Sequence, residues 1–218
     1  MKFGKVLIIG DSYSTYAGYI AKDCWPYYGR EDKKSETDTG VTKVQETWWH
    51  KLMNENDANL VLNTSFSGTT ICHTGYEGKD YKKVSFVGRL EKLITEGFFE
   101  ENDIDTVLVF GGTNDSWAGS PIGELQYADW TEQDLYKTLP ATCYLFDRLK
   151  NVVPKAKIVN IVNCGLKEKI TNGLIAAAEH YGTEIVKLEN IDKGNGHPTV
   201  LGMEQIKTQI TEVLRDKF

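Results

Sequence analysis

Five short apolar runs punctuate the chain: Lys5 to Ile9, Leu60 to Asn63, Thr106 to Phe110, Lys157 to Val162 and Glu184 to Leu188. Each is rich in Val, Ile or Leu without strict polar alternation, the pattern of strands covered on both faces. Between them, apolar residues recur at steps of three and four, the period of a half-buried helix. The last such segment is the clearest, with Val200, Met203, Ile206, Ile210, Val213 and Leu214 on one stripe. Phe86, Leu90, Leu93 and Ile94 form another, and Cys143, Phe146, Leu149 and Val153 follow a helix start at Pro140. Trp48, Trp49, Leu52 and Met53 mark a fourth helix, and Ile170, Leu174, Ala177, Ala178 and Tyr181 a fifth. Strands alternating with helices predict an α/β fold: a three-layer α/β/α sandwich around a five-stranded parallel sheet, read as one domain over residues 1–218.

Two stretches do not follow this scheme. Residues 16–45 are polar and aromatic by turns, with Cys24-Trp25-Pro26-Tyr27-Tyr28-Gly29 leading into a charged run from Arg30 to Asp38. Residues 116–134 form a second long loop carrying Trp117, Tyr127 and Trp130. Connections of this length without a period of their own are commonly functional, so both are expected to shape a binding site.

Composition narrows the function. Charged residues make up 26% of the 218, with 25 basic against 31 acidic and a net charge of −6, and no block of one sign occurs. A nucleic-acid binder needs a basic face, so that class is set aside. No apolar run approaches the 18 or so residues of a membrane span. The N-terminal apolar run is too short for a signal sequence and has no small-residue cleavage site, so the chain as given reads as cytoplasmic. Cys24, Cys72, Cys143 and Cys164 lie far apart with no CxxC pair. They signal neither a zinc site nor a disulfide framework, and no metal or cofactor is expected.

In an open parallel sheet, ligands bind beyond the carboxyl ends of the strands. The segments there are Gly10-Asp11-Ser12-Tyr13-Ser14, Asn63 to Thr70 with Ser67-Gly68-Thr69, Gly111-Gly112-Thr113-Asn114-Asp115, and Asp192 to Thr199 with Gly196-His197-Pro198-Thr199. Phosphate-binding readings fail: Gly78-Lys79 is followed by Asp80, not Ser or Thr, and only Gly10 of a GxGxxG fingerprint is present. What remains is a hydroxyl, an amide, a glycine N–H and a histidine, the parts that acyl transfer requires.

These four blocks, in this order, resemble the SGNH hydrolases, also called GDSL esterases and lipases, and the likeness runs from residue 5 to about 215. It implies a flavodoxin-like sandwich. It further implies Ser12 as nucleophile, His197 as general base, and an oxyanion hole made by the N–H groups of Ser12 and Gly68 with the Asn114 amide. Family members usually carry an aspartate three residues before the histidine, where this chain has Gly194. Asp192, five residues before, is the expected third member of the triad, with Glu189, Asn195 or a main-chain carbonyl as alternatives. Tyr13 and Trp117 are the expected substrate-binding side chains, and Trp130 a further pocket residue. Asp11 and Asp115 are read as loop braces. The expected activity is a serine esterase acting on a small-molecule ester, with a short acyl group or an acetylated sugar. The alternative is a non-catalytic carbohydrate or acyl-ligand binder on the same scaffold.

Overall fold

The computed structural model describes residues 1–218. Strands β1 (Lys5–Gly10), β2 (Asn59–Asn63), β3 (Thr106–Gly111), β4 (Lys157–Val162) and β5 (Glu184–Lys187) form one parallel sheet in the order β2-β1-β3-β4-β5. Alternate residues of the central strands feed two cores. Leu7, Ile9, Val107 and Val109 face one side, with Phe86, Leu90, Phe146 and Leu174 packed over them. Val6, Ile8, Leu108 and Phe110 face the other, beneath Trp48, Trp49, Leu52, Met203 and Ile206. Burial on both faces is why these strands read as near-continuous apolar runs.

The five expected helices are present as α2 (Trp48–Glu55), α3 (Phe86–Thr95), α6 (Thr138–Val152), α7 (Glu168–His180) and α8 (Val200–Leu214). α6 begins two residues before Pro140, which sits within the first turn, where a missing N–H costs no hydrogen bond. Three short helices lie where no period is visible: α1 (Lys34–Thr39), α4 (Phe98–Glu101) and α5 (Thr113–Ala118). The two long loops are therefore partly structured. Residues 16–45 contain α1 and a 3-10 turn at Val44–Glu46, and the second loop begins only after α5 and ends in a 3-10 turn at Glu132–Tyr136. A two-stranded hairpin, β6 (Lys193–Gly194) with β7 (His197–Pro198), precedes α8. No helix is long and apolar enough to cross a membrane.

This topology locates the site. β1 connects outward to β2 on one side, whereas β3 to β5 run to the other, so a crevice opens between the carboxyl ends of β1 and β3.

Candidate active site

The chain leaves β1 at Gly10, and Asp11 caps the turn that follows by accepting the Tyr13 N–H on Oδ1 at 3.0 Å. Ser12 opens that one-turn 3-10 helix, Ser12–Ser14, as a first helical residue whose N–H has no partner within it. Its Oγ lies 3.0 Å from His197 Nε2, although 185 residues separate the two in the chain. The ring's other nitrogen, Nδ1, lies 3.2 Å from the Asn195 carbonyl. A carbonyl can only accept, so Nδ1 carries the proton and Nε2 is free to accept from the serine hydroxyl. Burial holds the imidazole below its ordinary pKa, and Lys193 and Lys34 add to the lowering. The Asn195 carbonyl and Asp38 pull the other way. The ring is therefore neutral at pH 7, the state a proton acceptor needs.

The hairpin explains this geometry. Gly194 pairs with His197, and Asn195 and Gly196 form the two-residue turn with φ of 48° and 79°. Positive φ at both turn positions is what a type I′ turn requires, and Asn-Gly is the pair that tolerates it best. The turn directs the Asn195 carbonyl back to the ring two residues later. Hydroxyls pin the β7 segment from both sides: Tyr13 OH donates to the Gly196 carbonyl at 2.5 Å and Tyr28 OH to the Pro198 carbonyl at 2.9 Å.

Three expected site residues are placed differently. Asp192 does not reach the ring. Gly194 pairs with His197 and Lys193 with Pro198, so the antiparallel register sets Asp192 opposite Thr199. There its carboxylate accepts the Thr199 hydroxyl, and its carbonyl accepts the Thr199 N–H at 3.1 Å, bracing the start of α8. Tyr13 is not a substrate contact either, since it is fully buried against Phe110 with its hydroxyl committed to Gly196. Trp117 remains 46% exposed and meets the His197 ring edge-on, with centroids 6.1 Å apart. Trp130 packs edge-on against Tyr144 of α6 instead of lining this crevice.

On the opposite rim, Gly68 takes φ of +80°, and its N–H makes no hydrogen bond within the protein. A side chain would strain that conformation. The turn is anchored on both flanks: the Phe66 N–H donates to the Gly10 carbonyl at 3.1 Å, and the Ser67 N–H to the Trp25 carbonyl at 2.8 Å. Asn114, in the first turn of α5, donates from Nδ2 to the Thr69 carbonyl at 3.0 Å and accepts Tyr76 OH on Oδ1 at 2.8 Å. These partners fix which way the amide faces and leave its second N–H uncommitted. Asp115 accepts the Ile71 and Cys72 N–H groups at 2.9 and 3.3 Å and so ties α5 to the segment following Gly68.

Several contributors were not singled out individually by the sequence. Tyr27 stacks on His197 with ring centroids 3.6 Å apart and planes 9° from parallel. Tyr76 orients Asn114. Arg89, buried in α3, donates to the Gly10 and Val84 carbonyls at 3.0 and 2.9 Å, to the Thr64 carbonyl, and to the Thr69 hydroxyl at 3.3 Å. It thus joins the ends of β1 and β2 to the Gly68 turn from behind. Asp11 Oδ2 is buried without a hydrogen-bond partner, and desolvation, with Asp115 nearby, pushes its carboxyl up to about 7. No three His, Cys, Asp or Glu side chains converge into a group able to hold a metal.

Comparison with known proteins gives the family and the fold. The family described as GDSL-like Lipase/Acylhydrolase matches residues 4–214. A protein assigned as a GDSL-like lipase from Bacteroides uniformis is 45% identical and superposes with a TM-score of 0.91, covering 98% of this chain and 96% of its own. Another, from Bacteroides ovatus, is 40% identical with a TM-score of 0.86 over 99% of this chain and 100% of its own. An acetyl xylan esterase from the rumen bacterium Butyrivibrio proteoclasticus shares the fold at 18% identity and a TM-score of 0.61, covering all of this chain and 64% of its own. No curated protein matches the chain.

Proposed function

The chain belongs to the GDSL-like lipase/acylhydrolase family and is thereby a hydrolase of esters; on that premise, we propose that it is a serine esterase working through an acyl-enzyme on Ser12. The observation that carries this reading is the 3.0 Å approach of Ser12 Oγ to His197 Nε2, with the imidazole tautomer set by the Asn195 carbonyl.

In this mechanism the Ser12 oxygen attacks the ester carbonyl while its proton passes to His197 Nε2. The developing oxyanion takes hydrogen bonds from the main-chain N–H groups of Ser12 and Gly68 and from the free N–H of Asn114, whose amide the Thr69 carbonyl and the Tyr76 hydroxyl hold before substrate arrives. Collapse expels the alcohol, which receives the proton from His197. Water then gives a proton to the same nitrogen as it attacks the acyl-enzyme, and the carboxylic acid leaves with Ser12 restored. The arrangement is a dyad completed by a main-chain carbonyl in place of a directly bonded carboxylate.

An exposed aromatic face beside the dyad supports a short acyl group on a small alcohol or sugar. Trp117, 46% exposed and edge-on to the His197 ring, offers a face for an apolar or pyranose ring. Replacing Ser12 with Ala should abolish hydrolysis of p-nitrophenyl acetate with the fold retained. Undiminished turnover by that variant defeats the proposal.

A further inference from the structure

We infer that Asp38, carried by α1 from within the 16–45 segment, is the positioning carboxylate of the histidine, acting through Asn195 and Tyr27 rather than by touching the ring. The inference rests on the reading of His197 as the base.

The geometry converges on one oxygen. Asp38 Oδ2 accepts the Asn195 side-chain amide at 3.1 Å and the Tyr27 hydroxyl at 3.1 Å. Both partners act on the imidazole directly. Asn195 supplies the carbonyl that holds Nδ1–H, and Tyr27 lies flat against the ring at 3.6 Å. One carboxylate therefore fixes the ring's tautomer through one arm and its plane through the other. Asn195 also sits at positive φ, a conformation its tether to Asp38 helps to hold.

The packing shows why the acid comes from α1. α1 lies against both strands of the hairpin. The residue paired with His197 is Gly194, and a Cβ there would collide with the main-chain carbonyl of Asp38. The backbone of α1 thus occupies the space that a side chain at 194 would need, and the same residue brings its own carboxylate to the far side of the turn. A hairpin closed by a two-residue turn leaves no slack for a nearer acid, as the placement of Asp192 opposite Thr199 shows.

Charge follows the same logic. The titratable groups facing the ring are Tyr13 beside Ser12, Tyr27 and Tyr28 from the long loop, Lys34 and Asp38 from α1, and Lys193 from β6. Asp38 is the carboxylate among them. Its negative charge favours the imidazolium that forms in the transition state, whereas Lys34 and Lys193 oppose it. The hydrogen bonds from Asn195 and Tyr27 keep Asp38 ionised, below its ordinary pKa.

The test is Asp38→Asn in the full chain, with Asp38→Ser, also uncharged, as a second variant should the first not fold. Two readouts are taken: the His197 titration midpoint by NMR, and the pH profile of kcat/KM on p-nitrophenyl acetate beside wild type and Ser12→Ala. Removing the charge should lower the midpoint, and with it the acid limb, by about half a pH unit, as expected for an indirect, partly solvated charge. The plateau of kcat should fall roughly tenfold with little change in KM, the scale of losing an orienting partner. Mere loosening of the segment would instead let water reach the ring and move the midpoint upward. An unmoved or raised midpoint, with or without a loss of rate, overturns the inference. The NMR titration needs no turnover, so it judges Asp38 separately from the esterase reading, which fails only if wild type is inactive or Ser12→Ala still hydrolyses the ester.

Discussion

Asn114, the proposed side-chain donor to the oxyanion, shows how much of such a site is local chemistry and how much is neighbourhood. Its position after a buried strand is visible in the sequence, but its orientation is not, because an amide can present either end until something fixes it. Tyr76 and the Thr69 carbonyl do so here, one from the oxygen side and one from the nitrogen side. Asn114→Ala should therefore lower kcat by about 10²- to 10³-fold, roughly 2.7 to 4 kcal/mol in the barrier, with KM changed far less. Tyr76→Phe removes only the orienting bond and should cost about tenfold or less. Equal losses in the two variants, measured as kcat on one ester, would contradict the separate roles. Tyr13, an expected substrate-binding side chain, directly follows the serine yet lies inward. A 3-10 turn carries consecutive side chains to different sides, and the sheet takes this one inward against Phe110.

At the scale of elements, the five strands and the five long helices are legible because each buries a face large enough to impose a period on its residues. α1 imposes none. Its sequence, Lys-Ser-Glu-Thr-Asp-Thr, is polar throughout, and it is held by packing against the hairpin and by side chains such as Ser35 and Thr39 that are buried there. The hairpin is equally hidden, being two residues per strand, although Asn195-Gly196 is a turn signal that the sequence does carry. The pairing of these two elements makes a specific prediction. Gly194→Asp would place a carboxylate three residues before the histidine, as relatives usually have it. Here it should destabilise the protein by about 1 to 3 kcal/mol through collision with the Asp38 carbonyl and should not raise activity. Denaturant unfolding beside an ester assay decides it, and a stable, faster variant would mean that α1 can yield.

For the whole molecule, the buried Asp11 links the site to global stability. In the unfolded chain its carboxyl ionises near 3.8, whereas in the fold it holds its proton up to about 7. Between those values the folded state binds a proton that the unfolded state has released, so this group makes stability fall as pH rises from about 4 to about 7, with the full penalty present above. His197 has the opposite sign, since its lowered pKa makes the unfolded state the better proton binder below neutrality. Asp11→Asn keeps an oxygen for the Tyr13 N–H and removes only the Asp11 contribution. The variant should gain at least about 1 kcal/mol over wild type at pH 8 relative to its difference at pH 5, read from denaturation at the two pH values. A gap that does not widen with pH would show that Asp11 is ionised in the fold.

The order and type of the main elements, the parallel sheet and the four rim segments were determined by the sequence alone, because strands buried on both faces and half-buried helices write their periods into consecutive residues. The rim itself follows from strand order, which brings Ser12 and Asn114 to the same crevice between β1 and β3. What completes the histidine was decided only by tertiary structure. Asp38, Tyr27 and Asn195 meet across more than 150 residues of chain, and no local pattern records a contact made by one polar helix against one two-residue turn.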